Sequence, residues 1–196
     1  MKDVPAGPQP VLRKDAARNR RYIVDAARAL ARKGKPIQLN AVARAADVGV
    51  GTVYRHFPTP EALVEAVAAD QFTSLLRQAE EAAESPDAGQ ALRGFLKAAV
   101  TAYLQDDTFA SAVIDPDPAT PDIQHLRDRL QDGLRGLLAR AAADGGLRSD
   151  LTAADVMALL CGIGFAVRHS PGRADPGLAD RYLGALLDGA LGKDSR

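Results

Sequence analysis

An all-helical fold is predicted for this chain of 196 residues. Alanine and leucine dominate, β-branched residues are sparse, and apolar residues recur at spacings of three and four with no alternating run of strand length. The composition agrees: 46% hydrophobic and 26% charged residues exclude a disordered or collagen-like chain and leave enough apolar material for a core.

The elements follow in order. Three prolines and a glycine in residues 1–12 read as a flexible lead-in. A first helix is expected from about Asp15 to Lys33, with Ile23, Ala26, Ala27 and Leu30 on one stripe and Gly34 as its stop. A short second helix carries Leu39, Val42, Ala43 and Ala46, and Asp47-Val48-Gly49 breaks it. A third covers about Val50 to Phe57. Thr59-Pro60-Glu61 starts a fourth, with Thr as N-cap, Pro in the first helical position and an acid in the first turn, and it runs to about Glu84. Longer, more apolar helices are expected at about Asp87–Gln105, Asp107–Ile114, Pro121–Asp144, Ala153–His169 and Pro176–Leu191. Asp115-Pro116-Asp117-Pro118 and Gly145-Gly146 separate some of them. The domain division is expected at the fourth helix: a lead-in of 1–12, a small helical domain of 13–60 and a larger one of 61–196, the fourth helix continuing from one into the other.

Charge is divided between the halves. Residues 1–60 hold 12 Lys and Arg against 4 Asp and Glu, and the other 136 hold 13 against 21, so a net of +8 faces one of −8. A basic half can meet a polyanion or simply be a solvated face. The longest uncharged apolar stretch, Val156 to Val167, has 12 residues and is too short for a membrane helix. The N-terminus carries an acid and prolines where a secretory signal has an apolar run. The single cysteine, Cys161, permits neither an internal disulfide nor a cysteine zinc cluster, and a cytoplasmic location is expected. No catalytic residues, metal or cofactor are expected: the three histidines are far apart, and Gly162-Ile163-Gly164 follows no strand and lacks a third glycine.

Two short amphipathic helices joined by a three-residue turn make a helix-turn-helix. At 100° per residue, Val50, Val53 and Phe57 of the third helix fall on one side, toward the core. Gly51, Thr52 and Arg55 point the opposite way, with Tyr54 and His56 on the flanks. Such a face suits a duplex groove: Arg55 can fork onto guanine, Thr52 can touch a thymine methyl or a phosphate, and Gly51 lets the backbone come close. Each residue also has an ordinary reading as a solvated surface group. The cations Arg13, Lys14, Arg18, Arg20 and Arg21 weigh against it, because at the start of a helix they oppose its dipole and a polyanion explains them better.

The run Leu39-Asn40-Ala41-Val42-Ala43-Arg44-Ala45-Ala46-Asp47-Val48-Gly49-Val50-Gly51-Thr52-Val53-Tyr54-Arg55-His56-Phe57-Pro58, within residues 20–67, resembles the DNA-binding domain of the TetR family of bacterial regulators. The resemblance implies an all-helical subunit, a homodimer on a palindromic operator in double-stranded DNA, and a C-terminal domain that senses a small-molecule effector. It implies that Thr52, Tyr54 and His56 contact the DNA and that Val50, Gly51 and Arg55 sit nearest the base edges; the cations of the first helix, Arg18 and Arg21 among them, are expected from their charge to meet flanking phosphates. Three positions depart from the family pattern. Gln38 replaces a capping Ser or Thr, leaving a weaker cap or one shifted to Asn40. Asp47 replaces a turn glycine, and Pro60 replaces a lysine that often touches phosphate.

In the C-terminal two-thirds, Val156, Leu159, Leu160, Ile163, Val167, Leu183, Leu186, Leu187 and Ala190 form stripes on the last two helices. They can pair with a second copy, with Gly162 and Gly164 permitting close approach, or close the subunit's own core; the resemblance favours the former. Candidate effector contacts are Phe72, Phe95, Tyr103, Phe109, Met157, Cys161 and Phe165, with His125 and His169 as polar contacts. The same aromatic residues also serve as ordinary core. The expected function is a ligand-responsive transcriptional repressor. The competing reading is a helical small-molecule-binding or interaction protein whose basic half docks on an acidic protein partner.

Overall fold

The computed structural model describes the backbone of residues 9–144 and 151–190, and side chains from Asp15 onward within those spans up to Gly189. Nine helices and no strand occur among the described residues: α1 (Gln9–Ala31), α2 (Leu39–Ala45), α3 (Val50–His56), α4 (Pro60–Ala83), α5 (Ala88–Gln105), α6 (Asp107–Ile114), α7 (Pro121–Ala143), α8 (Ala153–His169) and α9 (Leu178–Ala190). The main departure is α1, which begins at Gln9 instead of near Asp15. Pro10 does not prevent this, because a proline in the first turn lacks only an N–H that would have no helical partner. The lead-in expected over residues 1–8, the Gly145-Gly146 break and Leu191 lie outside the described residues. The last helix starts two residues later than expected, at Leu178, after a turn in which the Asp175 carboxylate accepts from the Gly177 N–H at 2.8 Å.

The chain divides into two compact units between Val67 and Ala68, inside α4. The first unit closes around Ile23 and Ala27 of α1, Leu39, Val42 and Ala43 of α2, Val53 of α3, Phe57, and Leu63 and Val67 of α4. It therefore uses the first two turns of α4, beyond the boundary expected at residue 60. Two similar chain reversals set its geometry. After α1, the Lys35 N–H reaches the Leu30 carbonyl at 3.1 Å and the Gly34 N–H reaches Ala31 at 2.8 Å, with Gly34 at φ +67°. After α2, the Val48 N–H reaches the Ala43 carbonyl at 3.1 Å and the Asp47 N–H reaches Arg44 at 3.4 Å. Asp47 holds φ +53° there, the left-handed conformation that favours glycine and that a short polar side chain adopts at lower cost than most. Gln38 stands at the N-cap of α2 and makes no side-chain capping bond, so that end is weakly capped; Asn40 lies inside the helix and does not replace it.

The second unit buries Phe72 and Leu75 of α4, Leu92 and Phe95 of α5, Ile123, Leu134 and Leu137 of α7, and Val156 and Leu160 of α8, closed by Leu183 and Leu187 of α9. Phe72 and Phe109 meet edge to face at 4.8 Å. The N-termini of α5, α6 and α8 carry side-chain caps. The Asp87 carboxylate accepts from the Gln90 N–H at 2.8 Å, Asp106 accepts from the Thr108 and Phe109 N–H groups, and Thr152 with Asp155 forms a reciprocal capping box. Arg140 of α7 donates to the Ala82 carbonyl at 3.1 Å and the Ser85 carbonyl at 2.5 Å, satisfying the C-terminal end of α4.

Between α5 and α8 the helices approach at Gly164. A Cβ built there would lie 2.2 Å from Tyr103 Cδ1 and 2.5 Å from Cε1. Arg168 then reinforces the contact: its guanidinium donates to the Tyr103 carbonyl, pairs with Asp107 at 2.5 Å and lies 5.2 Å from the centre of the Tyr103 ring. Gly164 thus permits close helix approach as expected, but inside the subunit rather than between copies.

Candidate nucleic-acid interface and effector cavity

α3 is a seven-residue rod held by a narrow apolar strip. Val53 is fully buried and Phe57, just past the helix, is nearly so. Val50 departs from the helical-wheel expectation: it is the first residue of α3 and is 43% exposed, while Val53 one turn on is buried. The wheel fixes an angle about the axis but not how far along it the neighbouring helices extend. The outward placement agrees with what the family resemblance implied for this residue.

Gly51, Tyr54 and Arg55 are exposed, and Thr52 and His56 are half-buried. Arg55 folds back along the same face: its Nε donates to the Gly51 carbonyl at 3.2 Å and its Nη2 to Thr52 Oγ1 at 3.4 Å. Gly51 has nothing within 4 Å of where a Cβ would stand, so this face is open. It presents a planar fork of donors, a hydroxyl and a bare stretch of backbone, flanked by the Tyr54 hydroxyl; these groups suit base edges and phosphate walls.

The basic residues of α1 separate by surroundings. Arg18 pairs with Asp15 at 3.0 Å across an exposed turn, an attraction that water weakens and that a phosphate can replace. Arg20 lies 5.2 Å from the centre of the Phe57 ring, over the edge of the core. Arg21 is exposed, and no carboxylate of the described residues pairs with it. The side chains of Arg13 and Lys14 lie outside the described residues. Arg44 in the last turn of α2 is also exposed without a carboxylate partner among the described residues, and the reading of the charge pattern passed over it. At the start of α4, Thr59 Oγ1 accepts from the Ala62 N–H at 3.2 Å and Glu61 sits in the first turn. One free N–H is consumed and a negative charge is added, which makes the loss of the phosphate-touching lysine at Pro60 harder to offset.

The second unit holds a cavity of about 490 Å³ among α4, α6, α7 and α8. Phe72, Met157 and Cys161 of the expected set line it, together with Val113, Leu130, Arg127 and Gln131. Phe95, Tyr103 and Phe109 surround a void of only about 20 Å³ that shares Leu130, Met157 and Cys161 with the larger space. These three are core residues that line the small void and not the larger cavity. His125 and Phe165 are corrections to the expected set. His125 is exposed on α7; Phe165 is 59% exposed on α8, its ring stacked 4.0 Å from His169, which is exposed as well. Both His125 and Phe165 were chosen by residue type; His125 is exposed, and Phe165 lies one turn beyond the cavity-lining Cys161, so neither lines the cavity. Arg127 and Gln131 could have been found in the sequence, because they interrupt the apolar face of α7 at Ile123, Leu130 and Leu134. Burial pushes the Cys161 thiol up from its ordinary range, partly opposed by the positive charge of Arg127, so it is protonated at neutral pH and a poor nucleophile.

The stripe expected at a dimer interface is also corrected. Val156, Leu160, Val167, Leu183 and Leu187 are buried in the subunit itself, Ile163 and Leu186 are partly buried against the core, and the Ala190 side chain lies outside the described residues. A helix's widest apolar stripe faces its own core first. What α8 and α9 leave outward is Leu159, a member of the expected stripe, together with Phe165 and Tyr182, with Gly162 between the first two.

A helix-turn-helix unit with an open, donor-bearing second helix, joined to a helical unit with an apolar cavity, defines a DNA-binding regulator of the sensor type. Residues 23–67 match the model for bacterial regulatory proteins of the tetR family, and residues 87–190 match that for the C-terminal domain of SbtR-like transcriptional regulators. The chain belongs to the TetR family of transcriptional regulators. A TetR regulator from Streptomyces coelicolor is 33% identical, with a TM-score of 0.56 over 88% of this chain and 98% of that one. The HTH-type transcriptional repressor KstR of Mycolicibacterium smegmatis is 30% identical over 68% of each chain. KstR of Rhodococcus jostii is 47% identical over 27% of this chain, a match that spans only 26% of that relative's length. In fold alone, RolR, solved in complex with resorcinol, superposes with a TM-score of 0.67 at 19% identity over 90% of this chain and 89% of its own. Family membership favours DNA over an acidic protein as the partner of the basic half. No helix among the described residues is long and apolar enough to cross a membrane.

Proposed function

We propose that the chain is a ligand-responsive repressor that binds a palindromic operator as a homodimer and leaves it when a small molecule fills the cavity of the second unit. The observation that carries this reading is the division of α3 into a buried edge, Val53 backed by Phe57, and an outward face of Gly51, Thr52, Tyr54 and Arg55. In the dimer, two copies of α3 enter successive major grooves about 34–36 Å apart. Arg55 reads a base, Gly51 and Val50 lie against the groove floor, and Thr52, Tyr54 and His56 meet the walls. Arg18 and Arg21 add phosphate contacts, joined by Arg44. The DNA-binding unit is residues 13–60 extended through Val67, and the remainder holds effector and partner.

The second copy docks on the outward faces of α8 and α9, where Leu159, Phe165 and Tyr182 are exposed. Apolar groups of this size on neighbouring helices gain by pairing across a twofold. The effector acts by favouring a subunit arrangement whose α3 spacing fails to match the groove repeat. Salt dependence tests the DNA reading. Phosphate contacts by at least three cations per subunit, six in the dimer, give a slope of log affinity on log salt of about −5. The expected result is an affinity that falls at least a thousandfold between 50 and 200 mM salt, to the order that six neutralised phosphates give. A flat response contradicts it.

A further inference from the structure

The cavity of the second unit carries an asymmetry that the general reading of a sensor does not use. Its walls are apolar, from Phe72, Val113, Leu130 and Met157, and at about 490 Å³ it lies in the range of small-molecule sites. The polar groups on it are chiefly donors. Arg127 and Gln131 stand one turn apart on α7 and both line the space. Among the described residues no Asp or Glu lines it. Arg127 Nη1 donates to the Asp115 carbonyl at 2.5 Å, which fixes the half-buried guanidinium at the wall. No carboxylate of the described residues pairs with it, and the Gln131 amide makes no hydrogen bond with them.

A partly desolvated guanidinium without a counter-charge beside an empty apolar space is a site for an anion. We propose that the effector is an amphipathic carboxylate, its apolar body against Phe72, Leu130 and Met157 and its carboxylate held by Arg127 with help from Gln131. Arg127 and Cys161 line the same space, from α7 and α8. A cationic effector would meet this guanidinium with no acid to balance it, and a neutral one would leave it unpaired. The proposal rests on the effector reading given above and narrows it to one chemical class.

The test uses the full chain and three probes of equal chain length: dodecanoate, dodecanol and dodecylammonium, with 4-phenylbutyrate as a carboxylate of different shape. Binding is read by calorimetry. Operator affinity is measured in parallel. A carboxylate is expected to bind at least tenfold more tightly than dodecanol, with dodecylammonium weakest. Arg127→Met, which keeps the apolar stem, is expected to lose at least tenfold in carboxylate affinity and leave dodecanol unchanged. Gln131→Leu, which leaves the Asp115 contact intact, is expected to lose a smaller factor and guards against a folding defect in the first variant. Failure of both carboxylates to bind, equal binding of dodecanoate and dodecanol, or carboxylate binding indifferent to Arg127→Met overturns the proposal. If dodecanol or dodecylammonium binds best and releases DNA, the chemical class fails while the sensor reading stands. If carboxylates bind through Arg127 without changing operator affinity, the class stands and the sensor reading fails.

Discussion

The double substitution Arg55→Ala with Tyr54→Phe is expected to abolish recognition of a specific duplex while leaving the fold unchanged. Both side chains are exposed, and among the described residues Arg55 bonds only to Gly51 and Thr52 of its own helix. Their removal therefore costs the core nothing, and the melting temperature should stay within about 2 °C, as surface substitutions of about 0.5 kcal/mol do. A bidentate contact to a base is worth about 1–3 kcal/mol, and a homodimer loses it twice. Specific affinity is expected to fall by at least about thirtyfold, at 1.4 kcal/mol per factor of ten. Weak, salt-sensitive binding to any DNA should survive, because the cations of α1 remain. Titration of labelled duplexes of the preferred and a scrambled sequence measures both. Equal loss on the two sequences would assign Arg55 to phosphate instead of base.

The largest effect on stability is expected at Gly164→Ala. The new Cβ would stand 2.2 Å from Tyr103 Cδ1, inside any tolerable contact. The tyrosine cannot simply swing aside, since Arg168 holds its backbone carbonyl and covers its ring. Overpacking of this kind costs about 3 kcal/mol, at the upper end of its usual range. For a chain of this size that lowers the melting temperature by roughly 6–12 °C. Gly162→Ala is the matched control: it stands on the same helix with nothing within 4 Å and should be neutral or stabilise by up to about 1 kcal/mol. Tyr103→Ala combined with Gly164→Ala should cost less than the sum of Tyr103→Ala alone and Gly164→Ala alone, because two groups in direct collision are not additive. Thermal unfolding of the four variants decides it. Equal stability of Gly162→Ala and Gly164→Ala would show that α5 and α8 are not packed in this way.

Helix order and type were legible because each element carries its own punctuation. The Thr59-Pro60-Glu61 start, the glycine at 34 and the capping acids at 87 and 106 are local signals whose effect does not depend on what packs nearby. Asp47 is the informative case: the sequence marks a turn where most residues would be strained, and φ +53° places the aspartate in it. The recognition face was legible for a related reason. On a helix of two turns, Val53 and Phe57 are enough to fix which side is buried. Val50 was not, because an angle about the axis does not fix how far along it the neighbouring helices extend.

The second unit was harder to read, and Leu160 and Phe165 show why. In a helical unit where several helices share one core, apolar periodicity says that a residue is buried but not against what. Leu160 and Leu187 suited a partner surface as well as a core, and they are core. Phe165 suited a cavity and is outside it, because residue type says nothing about which turn of α8 borders the empty space. Arg127 and Gln131 are marked in the sequence as interruptions of an apolar face, but that this face borders a cavity follows from the packing of α4, α6 and α8 around α7.

Selection of bound duplexes from random DNA by the full chain would settle whether α3 reads DNA as half of a twofold assembly. The proposed arrangement predicts recovery of an inverted repeat whose half-sites are centred about one helical turn apart, lost when Arg55 and Tyr54 are changed together. Recovery of no preferred sequence, or of a single unrepeated site, would contradict it.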